Sequence, residues 1–222
     1  MEKILTANKR QKRMRHTLQW IGCGWLLLVG LYFSACRQSA ASNAPVVVAD
    51  LTEMKRTIQQ RFPGVRQLST AELADWLKRA QPERPKLLDA RAPAEYNVSH
   101  LPGAQLATTE AQALEILQAE PRDRLVVVYC SVGYRSSALA EQLQARGYTN
   151  VYNLEGSIFE WANKGRPVYQ IRSSAGSSSP SLTGSASKAE PDPQGEQPVK
   201  LVHPYDAKWG VYLKRELWSA LP

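Results

Sequence analysis

The sequence is poor in cysteine, histidine and methionine, with three of each among its 222 residues. Three cysteines are too few for a small domain held together by disulfides, which excludes that class of secreted scaffold. Charged residues make up 22% and hydrophobic residues 43%, close to the average of globular proteins. This composition also excludes a wholly disordered chain, a collagen-like repeat and a polytopic membrane protein, and the length allows one ordinary domain with extensions or two small domains.

Acidic residues are scarce at the beginning of the chain, where basic residues are concentrated. The first 16 residues contain six Lys or Arg residues and one Glu, which accounts for five of the eight net positive charges. Because this excess of positive charge belongs mainly to a short leader, it does not indicate nucleic-acid binding. We therefore expect no nucleic-acid partner.

An uncharged and largely apolar stretch, Thr17 to Cys36, follows the basic residues. At about 1.5 Å per residue, a helix of this length reaches roughly 30 Å, enough to cross the hydrocarbon core of a bilayer. A basic stretch before such a run is typical of a signal peptide or signal anchor, with the N-terminus on the inner side. We expect residues 1–36 to attach the chain to a bacterial membrane, with the later residues on the extracytoplasmic side, in the periplasm where there is one.

Two forms of attachment stay open, beside ordinary cleavage and release. Phe33-Ser34-Ala35-Cys36 is similar to a lipobox, in which a small residue precedes a cysteine that is lipidated, although Leu is more usual than Phe at its first position. The alternative is an uncleaved single-pass anchor. The two forms predict a lipoprotein and a membrane-spanning protein, respectively.

The rest of the chain changes in composition along its length. Residues 37–64 are predicted to be a spacer with some helix around Leu51 to Arg61. Residues 173–200 contain eight Ser, four Pro and three Gly residues, which predicts a disordered, flexible linker. In the aromatic tail, residues 201–222, Tyr205, Trp209 and Tyr212 are spaced as one face of a helix. We expect this tail to dock on its own domain or on another protein.

Between the spacer and the linker, residues 65–169 alternate short apolar runs with helical patterns. Strands are predicted at Val65–Leu68, Lys86–Arg91, Ala104–Leu106, Leu125–Tyr129 and Val151–Leu154, and helices at 69–77, 110–120, 136–146 and 157–163. The β-branched run Leu125–Tyr129 (LVVVY) is typical of a strand that is covered on both faces. The alternation predicts an α/β fold with a parallel sheet of about five strands flanked by helices.

A cysteine follows this buried strand directly, at the start of the loop Cys130 to Ser136. Sites in open α/β sheets form at the carboxyl ends of strands, and a helix N-terminus points several N–H groups at one spot. A thiol in that field has a pKa of roughly 3.5 to 7.5 instead of about 8.5. Gly133 lets the loop curl, and Arg135 can fold over the same place. We expect Cys130 to be a nucleophilic thiolate facing an anion-binding loop.

Three groups of residues together resemble the rhodanese (thiosulfate sulfurtransferase-like) family over about 105 residues, from Val65 to Tyr169. The first is Leu88-Asp89-Ala90-Arg91 with Glu95-Tyr96 and Ser99-His100-Leu101-Pro102-Gly103-Ala104. The second, Cys130 to Ser136, is similar to the family's C-x-x-G-x-R-S. The third is Gly147-Tyr148 with Val151 to Ser157 and Trp161, where the family usually has a second glycine in place of Ser157.

The resemblance implies a rhodanese-like fold and the transfer of sulfane sulfur through a persulfide on Cys130, without a metal or another cofactor. Catalytic roles are implied for Cys130 and Arg135. Substrate binding is implied for the loop residues Ser131, Val132, Gly133, Tyr134 and Ser136, and Arg91 is a further candidate. The expected partners are a small sulfur-containing anion such as thiosulfate, or a persulfide donor, and a thiol, protein or cyanide acceptor.

Phosphatase activity and non-enzymatic binding are the two alternatives to sulfur transfer. Phosphatases of related fold use C-x5-R, whereas this loop is C-x4-R, one residue shorter and sized for a smaller group. A non-enzymatic binding or regulatory module at the membrane is the second alternative, but it would not need Cys130, Gly133 and Arg135 together. Outside the loop, Glu95 is expected to pair with Arg91, and His100 to have a hydrogen-bonding role.

Overall fold

The computed structural model describes residues 48–172 and 195–220. The leader with its apolar segment and lipobox, and residues 173–194 of the expected linker, lie outside these ranges. Within the two ranges, none of the helices has the length and apolar character needed to cross a bilayer.

Five parallel strands form the central sheet, in the spatial order β1-β5-β4-β2-β3. The strands are β1 (Arg66–Leu68), β2 (Lys86–Asp89), β3 (Gln105–Leu106), β4 (Val126–Tyr129) and β5 (Val151–Leu154). All four residues of β4 are buried, because this central strand is covered on both faces. The predicted α/β fold with a five-stranded parallel sheet is confirmed.

Helices cover both faces of the sheet: α1 (Thr52–Arg61), α2 (Thr70–Trp76), α3 (Pro93–Val98), α4 (Glu110–Ile116), α5 (Tyr134–Ala145) and α6 (Ser157–Asn163). Alternate residues of β4 enter different cores, since side chains of a strand point to opposite faces. Val127 and Tyr129 pack with residues of α2 and α6. Val126 and Val128 pack with residues of α1, α4 and α5.

Local signals in the sequence agree with the positions at which several elements begin. Ser69 caps α2 in the expected capping box: its hydroxyl accepts the Glu72 N–H at 3.2 Å, and its own N–H donates to the Glu72 carboxylate at 2.9 Å. The helix expected around Leu51 to Arg61 is α1, and its Ile58 is buried in the core although it lies in the predicted spacer. The core therefore includes residues that precede the predicted start of the domain at Val65.

The chain after α6 also packs on the domain. Strand β6 (Val168–Ile171) pairs antiparallel with β7 (Glu196–Val199), and a short helix, α7 (Ala207–Gly210), and a 3-10 helix (Arg215–Leu217) follow. Two expectations need correction. The expected linker does not extend to residue 200, because β7 lies within it. The aromatic tail is not one helical stripe, because α7 ends at Gly210, whose lack of a side chain makes room for the Trp218 ring.

The tail docks on its own domain, one of the two arrangements expected. Val202 and Leu213 are almost fully buried and belong to the same core as Val127 and Tyr129. Within β7, the buried Glu196 carboxylate lies 3.2 Å from His100 Nε2 and accepts the Gly103 N–H. These contacts join β7 to residues that precede it in the sequence by more than ninety positions.

Candidate active site

Cys130 lies at the carboxyl end of β4, at the start of the loop that leads into α5. Its sulfur is nearly buried, with 1% of the residue exposed. The Gly133 N–H donates to Cys130 Sγ at 3.2 Å. Gly133 adopts φ +116°, a conformation that glycine adopts without the strain a side chain would bring, and the chain therefore curls around the sulfur. The loop has the form expected from the sequence.

The N-terminus of α6 holds the loop from behind. Ile158 and Phe159 donate their N–H groups to the carbonyl oxygens of Cys130 and Ser131, at 3.2 and 3.1 Å. The Cys130 N–H donates to Ser157 Oγ at 3.1 Å, and that hydroxyl donates to the Leu154 carbonyl at 3.0 Å. Ser157 occupies the position of the second glycine and adopts φ +51°. Its hydroxyl gives the Cys130 N–H a buried acceptor that a glycine side chain would not provide.

Arg135 forms a bidentate ion pair with the carboxylate of Glu95, beside the loop. Its Nη1 and Nη2 atoms donate to the two carboxylate oxygens of Glu95, at 2.8 and 2.9 Å, and Nη2 also lies 3.0 Å from Ser131 Oγ. Ser131 donates its hydroxyl to Glu95 at 2.9 Å. The expectation that Glu95 pairs with Arg91 is wrong, because the carboxylate faces Arg135.

The electrostatic environment favours the thiolate form of Cys130. Burial alone raises the pKa of the thiol, because it disfavours the charged form. The positive charge of Arg135 and the hydrogen-bonding groups of Ser136 and Gly133 outweigh burial, so that the pKa of Cys130 lies below its ordinary value. Burial also raises the pKa of Glu95, but the pair with Arg135 outweighs it and keeps this carboxyl ionised.

Arg91 does not line the cavity over Cys130, and this structure offers no support for its expected contact with substrate. It is fully buried, its Nε and Nη2 atoms donate to the Asp89 carboxylate at 2.9 and 2.6 Å, and Nη2 also donates to the Ser99 carbonyl at 2.6 Å. The guanidinium thus ties the end of β2 to the chain that follows α3. This bidentate arrangement is typical of a structural ion pair.

A cavity of about 250 Å³ opens over the sulfur; it is lined by Cys130, Ser131, Val132, Tyr134, Arg135, Tyr205 and Trp209. Tyr134 is 46% exposed, as its place in the loop predicts, and its ring meets Phe62 edge to face. Ser136 is instead buried and donates to Asn153 Oδ1 at 2.6 Å, so that it supports the loop from inside. Of the five loop residues expected to bind substrate, Ser131, Val132 and Tyr134 therefore line the cavity. Gly133 and Ser136 do not line it and act instead on the Cys130 sulfur through their hydrogen-bonding groups.

Two of the lining residues, Tyr205 and Trp209, were not expected at the site. The Tyr205 ring lies over the Arg135 guanidinium, with the guanidinium carbon 5.0 Å from the ring centre. No local pattern connects an aromatic tail to a loop so distant in sequence. The many aromatic residues after the polar segment indicate that the tail docks on a protein surface, but they do not indicate that this surface is the loop at Cys130.

Comparisons with known proteins found relatives for part of this chain. The family model described as the Rhodanese-like domain matches residues 69–164. A curated protein of Allochromatium vinosum named "Sulfurtransferase" is 37% identical over 82 residues, which cover 37% of this chain and 76% of that protein. "Probable adenylyltransferase/sulfurtransferase MoeZ" of Mycobacterium tuberculosis is 33% identical over 101 residues, or 45% of this chain, but the match spans only 25% of that longer protein.

Among solved structures, a rhodanese-related protein from Thermoplasma volcanium is 28% identical; the match covers 46% of this chain and 96% of that one, with a TM-score of 0.39. The assignment itself rests on the family model and on the sulfurtransferase relative, most of whose length is matched. The residues matched by the family model, 69–164, include the strand, loop and helix that present Cys130. The chain therefore belongs to the rhodanese-like domain family.

Proposed function

We propose that this protein is a sulfurtransferase that carries sulfane sulfur as a persulfide on Cys130. The observation that carries the proposal is the position of the Cys130 sulfur, which faces a cavity and accepts the Gly133 N–H at 3.2 Å. Its lowered pKa agrees with a nucleophilic thiolate. The curated relative named Sulfurtransferase, most of whose length is matched, further supports the assignment.

The first half of the cycle loads the cysteine with sulfur. The Cys130 thiolate attacks the outer sulfur of a donor, forming an S–S bond, while the bond between that sulfur and the rest of the donor breaks. The electron pair of the broken bond leaves with the donor remnant, which is sulfite if the donor is thiosulfate. The product is a Cys130 persulfide that carries one negative charge.

The start of α5 is suited to stabilising that charge. The first hydrogen bond of the α-helix runs from the Ser137 N–H to the Gly133 carbonyl, so that the preceding N–H groups have no partner within the helix. These groups and the helix dipole favour a negative charge at the loop. In the proposed mechanism they receive the outer sulfur of the persulfide, and Arg135 contributes its charge from the cavity wall.

The second half of the cycle unloads the sulfur. A thiolate or cyanide attacks the outer sulfur of the persulfide, the Cys130 S–S bond breaks, and its electron pair restores the Cys130 thiolate. Both halves are displacements at sulfur, and the donor and acceptor together balance the electrons. The cycle therefore requires no further redox cofactor.

We also propose that the leader tethers the catalytic domain to the extracytoplasmic face of a bacterial membrane. The support comes from the sequence, in which six basic residues precede the apolar stretch Thr17 to Cys36. A reporter enzyme that is active only outside the cytoplasm, fused after residue 222, should be active in cells. Activity of a fused cytoplasm-specific reporter instead would refute this location.

The proposed activity is tested by thiocyanate formation from thiosulfate and cyanide. The full chain should form thiocyanate, and Cys130→Ser, which has a nearly isosteric but far less nucleophilic side chain, should form none above background. Equal rates for the two proteins would show that Cys130 is not the sulfur carrier. If thiocyanate is absent with every donor tried, including organic persulfides, the non-enzymatic binding module becomes the better account.

A further inference from the structure

One wall of the cavity over Cys130 comes from outside residues 69–164, which match the family model. This wall consists of Tyr205 and Trp209, from the segment that follows β7. We propose that these two side chains determine specificity, selecting sulfane-sulfur donors that carry a large apolar or aromatic group over donors that lack one. The inference rests on the proposed sulfur-transfer function and names the class of donor.

The segment that carries this wall is built into the fold. Its Val202 and Leu213 are 0% and 2% exposed. The Val202 N–H donates to the Leu217 carbonyl at 2.7 Å, and Asn163 Nδ2 donates to the Tyr212 carbonyl at 2.8 Å. These contacts hold the backbone before Tyr205 and after Trp209, and thereby position the part of the chain that carries the two rings.

The two rings are individually positioned. Tyr205 adopts φ +68°, a conformation that a non-glycine residue keeps only where its surroundings impose it, and its N–H donates to His203 Nδ1 at 3.0 Å. Nearly half of Tyr205 is exposed, so that core packing does not explain this position. Asp206 caps α7 by accepting the Trp209 backbone N–H at 2.8 Å, which orders the backbone that carries the other ring.

The charge of the cavity argues against a doubly charged donor. Among the seven described residues that line it, Arg135 alone carries a formal charge in its ordinary state, apart from the Cys130 thiolate. Glu95 already pairs with this guanidinium through two contacts of 2.8 and 2.9 Å. The Glu95 carboxylate therefore reduces the positive charge that a dianion such as thiosulfate meets, whereas a monoanion needs less positive charge.

The shape of the cavity fits a small organic donor. Its volume of about 250 Å³ lies just below the roughly 300 Å³ at which sites for drug-sized molecules begin, which suits a smaller ligand. Val132, Tyr134, Tyr205 and Trp209 offer apolar surface to the donor's organic group R. A thiosulfonate, R–SO2–S⁻, combines one charge with such a group: the Cys130 thiolate takes its outer sulfur, and the sulfinate R–SO2⁻ leaves with the electron pair of the broken bond.

The experiment compares benzenethiosulfonate with methanethiosulfonate as donors for the full chain. Both are monoanions that release a sulfinate, and the ratio of their kcat/KM values for persulfide formation reports on the group R. Contacts between aromatic rings contribute about twofold to tenfold to such a ratio. The intrinsic difference between the two donors is common to all variants, so that the change of the ratio on substitution is the measured effect.

Three variants test the wall itself. Tyr205→Gly removes a ring and suits the positive φ, and Trp209→Leu removes the other ring but keeps an apolar side chain; each should lower the ratio about twofold to tenfold. Tyr205→Phe keeps the ring and should keep the ratio. Leu201→Ala is the matched control, since Leu201 is an exposed apolar residue of the same segment that does not line the cavity.

The outcomes separate the two proposals. A lower ratio in Tyr205→Gly and Trp209→Leu, with Tyr205→Phe and Leu201→Ala unchanged, supports the aromatic wall. If the unsubstituted chain and all four variants form a persulfide with the same ratio of kcat/KM values, the role of Tyr205 and Trp209 in specificity is refuted. The proposed sulfur transfer is then unaffected. If no donor forms a persulfide on Cys130 in the unsubstituted chain, the proposed function is overturned and the specificity inference with it.

Discussion

Replacing Leu213 by Ala tests whether the C-terminal segment is part of the fold. Leu213 is 2% exposed and packs in the core that also contains Tyr129. Truncation of a buried Leu costs about 2 to 5 kcal/mol in unfolding free energy, because it removes apolar contacts and leaves a cavity. Leu213 belongs to the C-terminal segment and not to the central sheet, so that its surroundings can partly close around the cavity, and we expect a loss of about 2 to 3 kcal/mol.

Urea unfolding of the full chain, followed by tryptophan fluorescence and by circular dichroism, measures this loss. For a protein of this size, each kcal/mol lowers Tm by about 2 to 4 °C, and a fall of about 4 to 12 °C should accompany it. Leu201→Ala provides the control, since Leu201 is 44% exposed in the same segment. A surface substitution of this kind should change the free energy of unfolding by no more than about 0.5 kcal/mol.

Equal unfolding free energies for Leu213→Ala and Leu201→Ala, within that margin, would refute the docked arrangement. The wall formed by Tyr205 and Trp209 would then lose its support, because both rings depend on the same segment. If tryptophan fluorescence changed at a lower urea concentration than circular dichroism, the C-terminal segment would separate from the domain before the sheet unfolds. The free energy of that first step should then fall in Leu213→Ala and stay unchanged in Leu201→Ala.

Three further predictions follow from the contacts at and near the loop. Arg135→Gln removes the charge that lowers the pKa of Cys130, so that the midpoint of thiol alkylation against pH should move upward. Ser157→Ala leaves the buried Cys130 N–H without its acceptor and should cost about 1 to 3 kcal/mol in urea unfolding, more than Ser157→Gly, which relieves the positive φ. Asp89→Asn leaves the fully buried Arg91 without its counter-charge and should cost about 3 to 5 kcal/mol in the same assay.

Each of these predictions has a result that contradicts it. For the pH profile the control is Arg146→Gln, at the far end of α5; a midpoint that moves equally in both variants would show that Arg135 has no specific effect. The lowered pKa of Cys130 determines how alkylation depends on pH. Cys130 stays a thiolate at pH values below the ordinary pKa of a thiol, and its reactivity is lost as pH falls through the lowered value. Equal stabilities of the two Ser157 variants would show that backbone strain at this turn is negligible. An unchanged unfolding free energy in Asp89→Asn would show that Arg91 finds another partner.

The elements predicted from the sequence are those specified by neighbouring residues. The β-branched run of β4 and the Ser69–Glu72 capping box are local signals, and both elements lie where they were expected. The position of Cys130 follows from the strand that precedes it and the helix that begins with Tyr134. Such elements could be predicted because their boundaries depend on contacts within a few residues.

The features that the sequence did not reveal depend on distant contacts. The six-residue helix α3 was not expected, and the partner of Glu95 was misassigned, since Arg91 and Arg135 are equally suitable by type. Strand β7 lies in a Ser, Pro and Gly-rich stretch, and it forms because β6 offers it a partner. The aromatic wall likewise depends on where Val202 and Leu213 enter the core, which no local pattern indicates.

The most direct test of the proposed chemistry is the intact mass of the full chain after incubation with a sulfane-sulfur donor. Thiosulfate and benzenethiosulfonate are both supplied, and Cys130→Ser is treated in parallel. We expect the mass of the unsubstituted chain to increase by one sulfur atom, the increase to be reversed by cyanide, and the variant to show no increase. An unchanged mass with both donors, or an equal increase in Cys130→Ser, would contradict a persulfide on Cys130.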